Sequence, residues 1–300
     1  MLLEHYYKVA GFPFVVSLPA GRDADRLLPS CGAFRLAARP DDGELLFRLT
    51  AGSEPLPEAR VARLLDETTN DLGRVRLSET SDGYRVELSY CAGGPVHELC
   101  ADRTFRTARA CLRWDDRSAG AALNSLLRIV YSLAVPFRGG VSIHAAAVAL
   151  GGRAWLFMGK SGTGKSTHAA LWRRCFAGCE LLNDDNPTVR VEKGGVYVYG
   201  TPWSGKTPCY RNLCYPLGGA VRLRQAGTNR FVRCADVEAF ATLLPGCSFI
   251  RDDRAMCEAL YDTLARVAES VTVGTLECRP DEEAARLCAA ALHAVGPATR

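Results

Sequence analysis

The chain is 300 residues long, 48% apolar and 23% charged, which excludes a fibrous repeat or long-range disorder and leaves room for one large domain or two ordinary ones. Its 37 basic and 33 acidic residues give a net charge of +4, too weak to indicate a nucleic-acid partner. Thirteen scattered Cys, odd in number and with neither a C-x-x-C pair nor His at zinc-ligand spacing, read as small, mostly buried hydrophobes of a reducing compartment.

The N-terminus, MLLEHYYKVAGF, has no basic start followed by a long apolar stretch, so no signal peptide is expected. Residues 12–18 (FPFVVSL) read as a short apolar strand closed by Pro19. Phe34 and Leu36 alternate with polar neighbours. Leu45, Phe47 and Leu49 repeat that pattern after the turn Asp42-Gly43. The clearest hairpin is RVRLSETSDGYRVELSY, with Val75 and Leu77 on one strand and Tyr84, Val86, Leu88 and Tyr90 on the other. Asp82-Gly83 supplies its tight turn. The period of residues 103–114 fits a strand or a short helix. Leu123, Leu126, Leu127, Val130, Tyr131 and Ala134 then recur at three- and four-residue spacing, which predicts a helix over 119–135 ended by Pro136. Arg138-Gly139-Gly140 is a natural joint, so a β-rich domain with its linking helix is expected over 1–137 and a second domain over 138–300.

Beyond the joint, strands are expected at 141–149 and 154–158, a helix at 164–176, and strands at 180–183, 187–192, 195–199 and 219–224. The turn Gly194-Gly195 joins two of these strands. Helices follow near 236–244, 252–269 and 281–294. Strands mixed with helices imply an α/β domain. The most apolar region, residues 141–158, is interrupted by His144 and Arg153. No membrane span is expected there, and the protein reads as soluble and cytoplasmic.

Five Lys stand among 32 Arg, and two of the five fall in one motif, GKSGTGKS at 159–166, which satisfies G-x-x-x-x-G-K-[ST] in full. An apolar strand leads in and a helix follows. Gly159, Ser161, Gly162, Thr163 and Gly164 allow main-chain N–H groups to wrap a polyphosphate. The helix start at Lys165, Ser166 and Thr167 adds unpaired N–H groups and the positive end of a dipole. Lys165 supplies charge for the β- and γ-phosphates and Ser166 a hydroxyl for Mg²⁺. The bound cofactors expected are therefore ATP and Mg²⁺. Neither the later signature and Asp-Glu strand end of transporter ATPases nor the N-K-x-D reader of GTPases follows. Instead LLNDD ends at Asp184-Asp185, 19 residues past Lys165 for the first acid. Beside a γ-phosphate one carboxylate can hold Mg²⁺ and the other can take a proton from an attacking hydroxyl. Read alone, the pair would simply open the turn into Asn186-Pro187.

From His144 to Arg190 the sequence VSIHAAAVALGGRAWLFMGKSGTGKST…LLNDDNPTVRV resembles the catalytic domain of HPr kinase/phosphorylase, which carries a His on the strand before the loop strand and two Asp after the loop helix. It is also similar to ATP-dependent phosphoenolpyruvate carboxykinase, with GGVYVYGTPWSGK at 194–206 in place of that enzyme's glycine-rich, Lys-bearing segment. The resemblance covers roughly 138–224. It implies an α/β P-loop kinase domain of the HPr kinase/PEP carboxykinase type, with a mixed sheet, preceded by a β-rich region. It also implies catalytic roles for Asp184, Asp185, His144 and Lys165: Asp184 as hydroxyl-activating base and Asp185 with Ser166 at the metal, the two Asp roles being interchangeable at this stage. Lys206 and Arg211 either approach phosphate or acceptor or are solvated, and His168 is given no chemical role. Thr167 stands where many HPr kinases carry an acidic residue, and their second signature is not found. The acceptor is therefore left as a hydroxyl on a protein, a peptide or a metabolite. The other readings are a carboxykinase-like phosphotransferase and a regulatory module that binds ATP without transfer. HPr kinases assemble into hexamers, but no interface is legible in this chain, so its oligomeric state is left open, with a homo-oligomer among the options.

Overall fold

The computed structural model describes residues 1–70 and 73–294. The chain divides into two compact units, Met1–Arg138 with Phe249–Cys257, and Gly139–Ser248 with Glu258–Arg300, of which 295–300 lie outside the described residues. The return of 249–257 to the first unit is not visible in the contiguous reading of 138–300.

The first unit holds an eight-stranded sheet. In chain order its elements are β1 (Leu2–Val9), β2 (Phe12–Pro19), the short α1 (Ala24–Leu27), β3 (Arg48–Gly52), β4 (Val61–Asn70), β5 (Gly73–Thr80), β6 (Gly83–Ser89), β7 (His97–Asp102), β8 (Thr107–Cys111) and α2 (Ala119–Ala134). The spatial order is β1-β2-β3-β8-β7-β6-β5-β4, with β2, β3 and β8 mutually parallel and the other pairs antiparallel. β2 is central to its core. Phe14 stacks on Tyr7 and Phe47, with ring centroids 5.6 and 4.7 Å apart, and Tyr131 of α2 meets it edge-on at 6.2 Å. Leu123, Leu126, Leu127 and Val130 of α2 are fully buried, as their spacing requires. Ala119–Arg138 is long and apolar enough to cross a membrane, but 61% of that window is buried within the fold, as in a core helix.

The expected alternation at Phe34 and Leu36 is not a strand. Pro29 opens a 3₁₀ turn, Pro29–Phe34, and Cys31 and Phe34 are buried at its three-residue repeat. Residues 103–106 turn, and the strand follows at β8.

The second unit holds β9 (Gly140–Ser142), β10 (Ala145–Leu150), β11 (Arg153–Met158), α3 (Lys165–Cys175), β12 (Glu180–Asn183), β13 (Thr188–Glu192), β14 (Gly195–Tyr199), β15 (Cys214–Gln225), β16 (Arg230–Cys234), α4 (Asp236–Leu243), most of α5 (Arg254–Ser270), β17 (Thr272–Cys278) and α6 (Glu282–Ala291). Its mixed sheet runs β12-β10-β11-β15-β14-β13-β9, and β17 with β16 joins at β15. β11, β15 and β17 are parallel. The strand expected at 141–149 is two strands. β9 pairs with β13 whereas β10 pairs with β11 and β12, so the chain changes neighbours at Ile143-His144. The β13–β14 turn is Lys193-Gly194, one residue earlier than expected. β10, β11 and β15 pack on α3 and α6, with Trp172 of α3 against Trp155 and Phe157 at 5.9 and 5.1 Å. All thirteen Cys are free. Five are buried, six half-buried and two exposed, so burial is less general than composition suggested.

Candidate active site

β11 delivers the chain at Met158 into the glycine-rich loop, and α3 begins at Lys165 with Gly164 as its N-cap at φ 99°. Only glycine adopts that left-handed entry without strain. A Cβ on Gly159 would stand 2.5 Å from Thr163 Oγ1, so the loop closes on itself there too. Thr163 Oγ1 donates to the Lys160 carbonyl at 2.5 Å, and Gln225 Nε2, from the end of β15, donates to the Gly162 carbonyl at 3.1 Å. These bonds shape the loop from its own main chain.

Lys165 is buried (8% exposed), and its ammonium donates to the carbonyls of Gly159 at 3.1 Å and Lys160 at 3.3 Å. Burial pushes its pKa down, while the fields of Asp185 and then Asp184 push it back up. The charges of both acids therefore act on this Lys. Ser161, Ser166 and Thr167 are exposed, the latter two on the first turn of α3.

The acids follow β12. Asn183, wholly buried, accepts from the amides of Asp185 at 3.0 Å and Asn186 at 2.8 Å, an Asx turn that fixes the direction of both carboxylates. Its amide nitrogen donates to the carbonyls of Thr201 at 3.3 Å and Trp203 at 3.0 Å, latching the turn to the segment after β14. That segment crosses over the pair. The Thr207 amide donates to Asp184 Oδ2 at 3.2 Å, and a Cβ on Gly205 would lie 3.0 Å from the Asp184 carbonyl. Asp184 is 5% exposed, and its other oxygen, Oδ1, is buried without a partner.

His144 occupies the break between β9 and β10, with Nε2 3.5 Å from Asp185 Oδ1. Main chain sets this pairing. The Ile143 amide donates to the Pro187 carbonyl at 3.1 Å, His144 to Gly246 at 2.7 Å and Ala145 to Asp185 at 3.0 Å. His144, Asp184, Asp185 and Lys165 thus fall in one neighbourhood at the end of the loop strand.

Arg211 lies elsewhere. It donates to the Leu181 carbonyl at 3.0 Å and pairs with Glu180 at 2.6 Å, along the edge of β12. Lys206 is exposed on the crossing segment. His168 is buried and accepts from Trp172 Nε1 at 3.1 Å, and burial pushes its pKa down to about 4, so its ring is neutral. Asn183, Thr201 and the Thr207 amide were not singled out from sequence, although Asn directly before two acids is a turn signal that could have marked the first of them.

The arrangement fits a nucleoside triphosphate with a divalent ion. The loop is glycine-rich, and its Lys is held on the loop's own carbonyls. No group of three or more His, Cys, Asp or Glu among the described residues could hold a metal by itself. A Mg²⁺ shared between Ser166, an acid and phosphate oxygens suits that set, since Mg²⁺ takes few protein ligands. The sequence matches no protein-family model and no curated protein. Among solved structures, the chain is similar to the HPr(Ser) kinase/phosphatase from Coxiella burnetii, with 12% identity over 51% of this chain and 88% of the other and a TM-score of 0.30. That likeness is slight, and the chemistry of the site stands on its own residues.

Proposed function

We propose that the second unit is an ATP- and Mg²⁺-dependent phosphotransferase acting on a hydroxyl acceptor. The observation that carries this reading is Asp184 Oδ1, a buried carboxylate oxygen with no protein partner. An orphaned buried acceptor costs about 1–3 kcal/mol or more if charged, and a proton or cation offered by a ligand removes that cost. ATP with Mg²⁺ would supply the phosphoryl group and its charge neutralisation, with Ser166 and Asp185 as the protein's metal-holding groups.

In this reading the acceptor O–H bond breaks as Asp184 Oδ1 takes the proton, and the Thr207 amide holds the other carboxylate oxygen still. His144 orients Asp185. The loop amides and Lys165 bind and align the phosphates. The crossing segment around Gly205 restricts water at the acids. Phosphoryl transfer needs mainly such alignment and neutralisation.

The test is binding of Mg·ATP by calorimetry together with transfer from γ-labelled ATP to candidate proteins and metabolites. Lys165→Ala should weaken binding about 100-fold, as expected from losing roughly 3 kcal/mol of charge-assisted contacts. Asp184→Asn should bind within a few-fold of the parent and lose about 10²–10⁴-fold in transfer. Normal transfer by both Asp184→Asn and Asp185→Asn would sink the assignment. Nucleotide-dependent partner binding with no labelled product would make the protein a sensor instead.

A further inference from the structure

The segment that crosses the acids, between β14 and β15, carries three alcohol side chains of its own, Thr201, Ser204 and Thr207. Two of them are committed to the fold. Thr201 is wholly buried and donates to the Asn186 carbonyl at 2.9 Å. Ser204 is half-buried and donates to the Thr207 carbonyl at 2.6 Å. Thr207 is exposed, and its hydrogen bonds among the described residues use main chain only: its carbonyl receives Ser204 and its amide donates to Asp184.

That amide bond limits where the Thr207 hydroxyl can be. Asp184 Oδ2 lies 3.2 Å from the Thr207 nitrogen. In every rotamer a threonine Oγ1 stands about 3–4 Å from its own nitrogen, so the alcohol lies within roughly 7 Å of the carboxylate. A side-chain rotation or one bridging water closes such a span. Two residues earlier, a Cβ on Gly205 would lie 3.6 Å from the Asp185 Cβ and 3.7 Å from Asp184 Oδ2, so the main chain passes directly over both acids. The charges of the same two acids act on Lys165 of the loop.

We propose that Thr207 is a phosphoryl acceptor within its own chain. The proposal rests on the phosphotransferase reading for ATP, Mg²⁺ and the base. The Thr207 O–H bond breaks and its proton passes to the Asp184 carboxylate. Oγ1 forms a bond to the γ-phosphorus while the bond from that phosphorus to the β–γ bridging oxygen breaks, and the bonding pair leaves with ADP. The phosphothreonine carries a charge of about −1.5 to −2 beside Asp184 and Asp185, so the reaction stops at one phosphate per chain and leaves the acids closed to a second alcohol.

The test incubates the full chain with Mg²⁺ and γ-labelled ATP, with no added acceptor, and maps the phosphate by peptide mass spectrometry. One phosphate per chain should appear at Thr207, at a rate per chain that does not change with protein concentration. Thr207→Ser should still be labelled at that position and Thr207→Val should not. Asp184→Asn should lose about 10²–10⁴-fold in rate. A second readout needs no turnover. Thr207→Glu places a third carboxylate beside the pair and, without nucleotide, should bind Mn²⁺ about tenfold more tightly than the parent by electron paramagnetic resonance. Tyr210→Glu, exposed on the same segment, should not. Phosphate found only at other residues, a rate that rises with protein concentration, or unchanged Mn²⁺ binding by Thr207→Glu would overturn the proposal. If Thr207 stays unmodified while an added acceptor is phosphorylated, the proposal falls and the phosphotransferase reading stands. If Mg·ATP binds and neither Thr207 nor any added acceptor is phosphorylated, both fall.

Discussion

The side chain on which the candidate site turns is Asn183, which performs no chemistry. It accepts two main-chain N–H groups and donates to two carbonyls, all in a buried setting. Asn183→Ala would leave these groups unpaired, at a cost of about 2–4 kcal/mol. It should lower the melting temperature and reduce phosphate transfer well beyond any change in Mg·ATP affinity, because the loop is untouched while the acids lose their aim. Equal losses of binding and transfer would show that Asn183 serves the fold alone. The sequence made the candidate residues legible because a phosphate loop demands glycine, Lys and Ser at fixed spacing, and Asp184-Asp185 stood close behind. Asn183 and Thr207 were not legible in that way. Their work is hydrogen bonding across 18 to 23 residues of chain, and no local spacing encodes it.

At the scale of elements, the segment from Gly200 to Asn212 is a strap between β14 and β15 rather than a loop free in solvent. A Cβ on Gly200 would stand 2.1 Å from the Arg211 carbonyl and 3.1 Å from that of Leu182, so the strap can close against itself and β12 only with glycine there. Gly200→Ala should therefore destabilise the protein by about 1–3 kcal/mol, read by urea unfolding, and should slow transfer by displacing Gly205 and Thr207 from Asp184. A variant with unchanged stability and activity would show that the strap tolerates displacement. The elements that periodicity revealed are the strongly patterned ones, such as α2, the β5–β6 hairpin and β11 with α3. β1, β4, β7, β16 and β17 escaped notice because their residues are mixed in polarity. β4 shows this, with Val61 and Leu64 exposed on a sheet-edge strand. The break at Ile143-His144 was hidden for the opposite reason. Both strands beside it are buried, and the polar residue at the break, His144, read as an interruption of one apolar strand rather than as a change of partner.

For the whole molecule, the two units are interleaved along the chain. Residues 249–257 return to the first unit, where Asp253 accepts from the Tyr84 hydroxyl at 2.6 Å and Asp252 pairs with Arg63 at 3.1 Å. Ile250 and Met256, in the same segment, are buried. A fragment beginning at Gly139 would carry this segment without Tyr84 and Arg63, and should bind a hydrophobic dye more strongly than the full chain and associate beyond the full chain's own oligomeric state. Clean monomeric behaviour by light scattering would show that the segment can settle independently. A different independence follows from how His144 and Asp185 are aimed. Amides of Ile143, His144 and Ala145 fix the geometry through main-chain carbonyls. On the proposed reading, descendants of this chain could therefore discard either reactive group and keep the architecture that would hold triphosphate, so a nucleotide-responsive protein would lie a single codon change away from a catalyst.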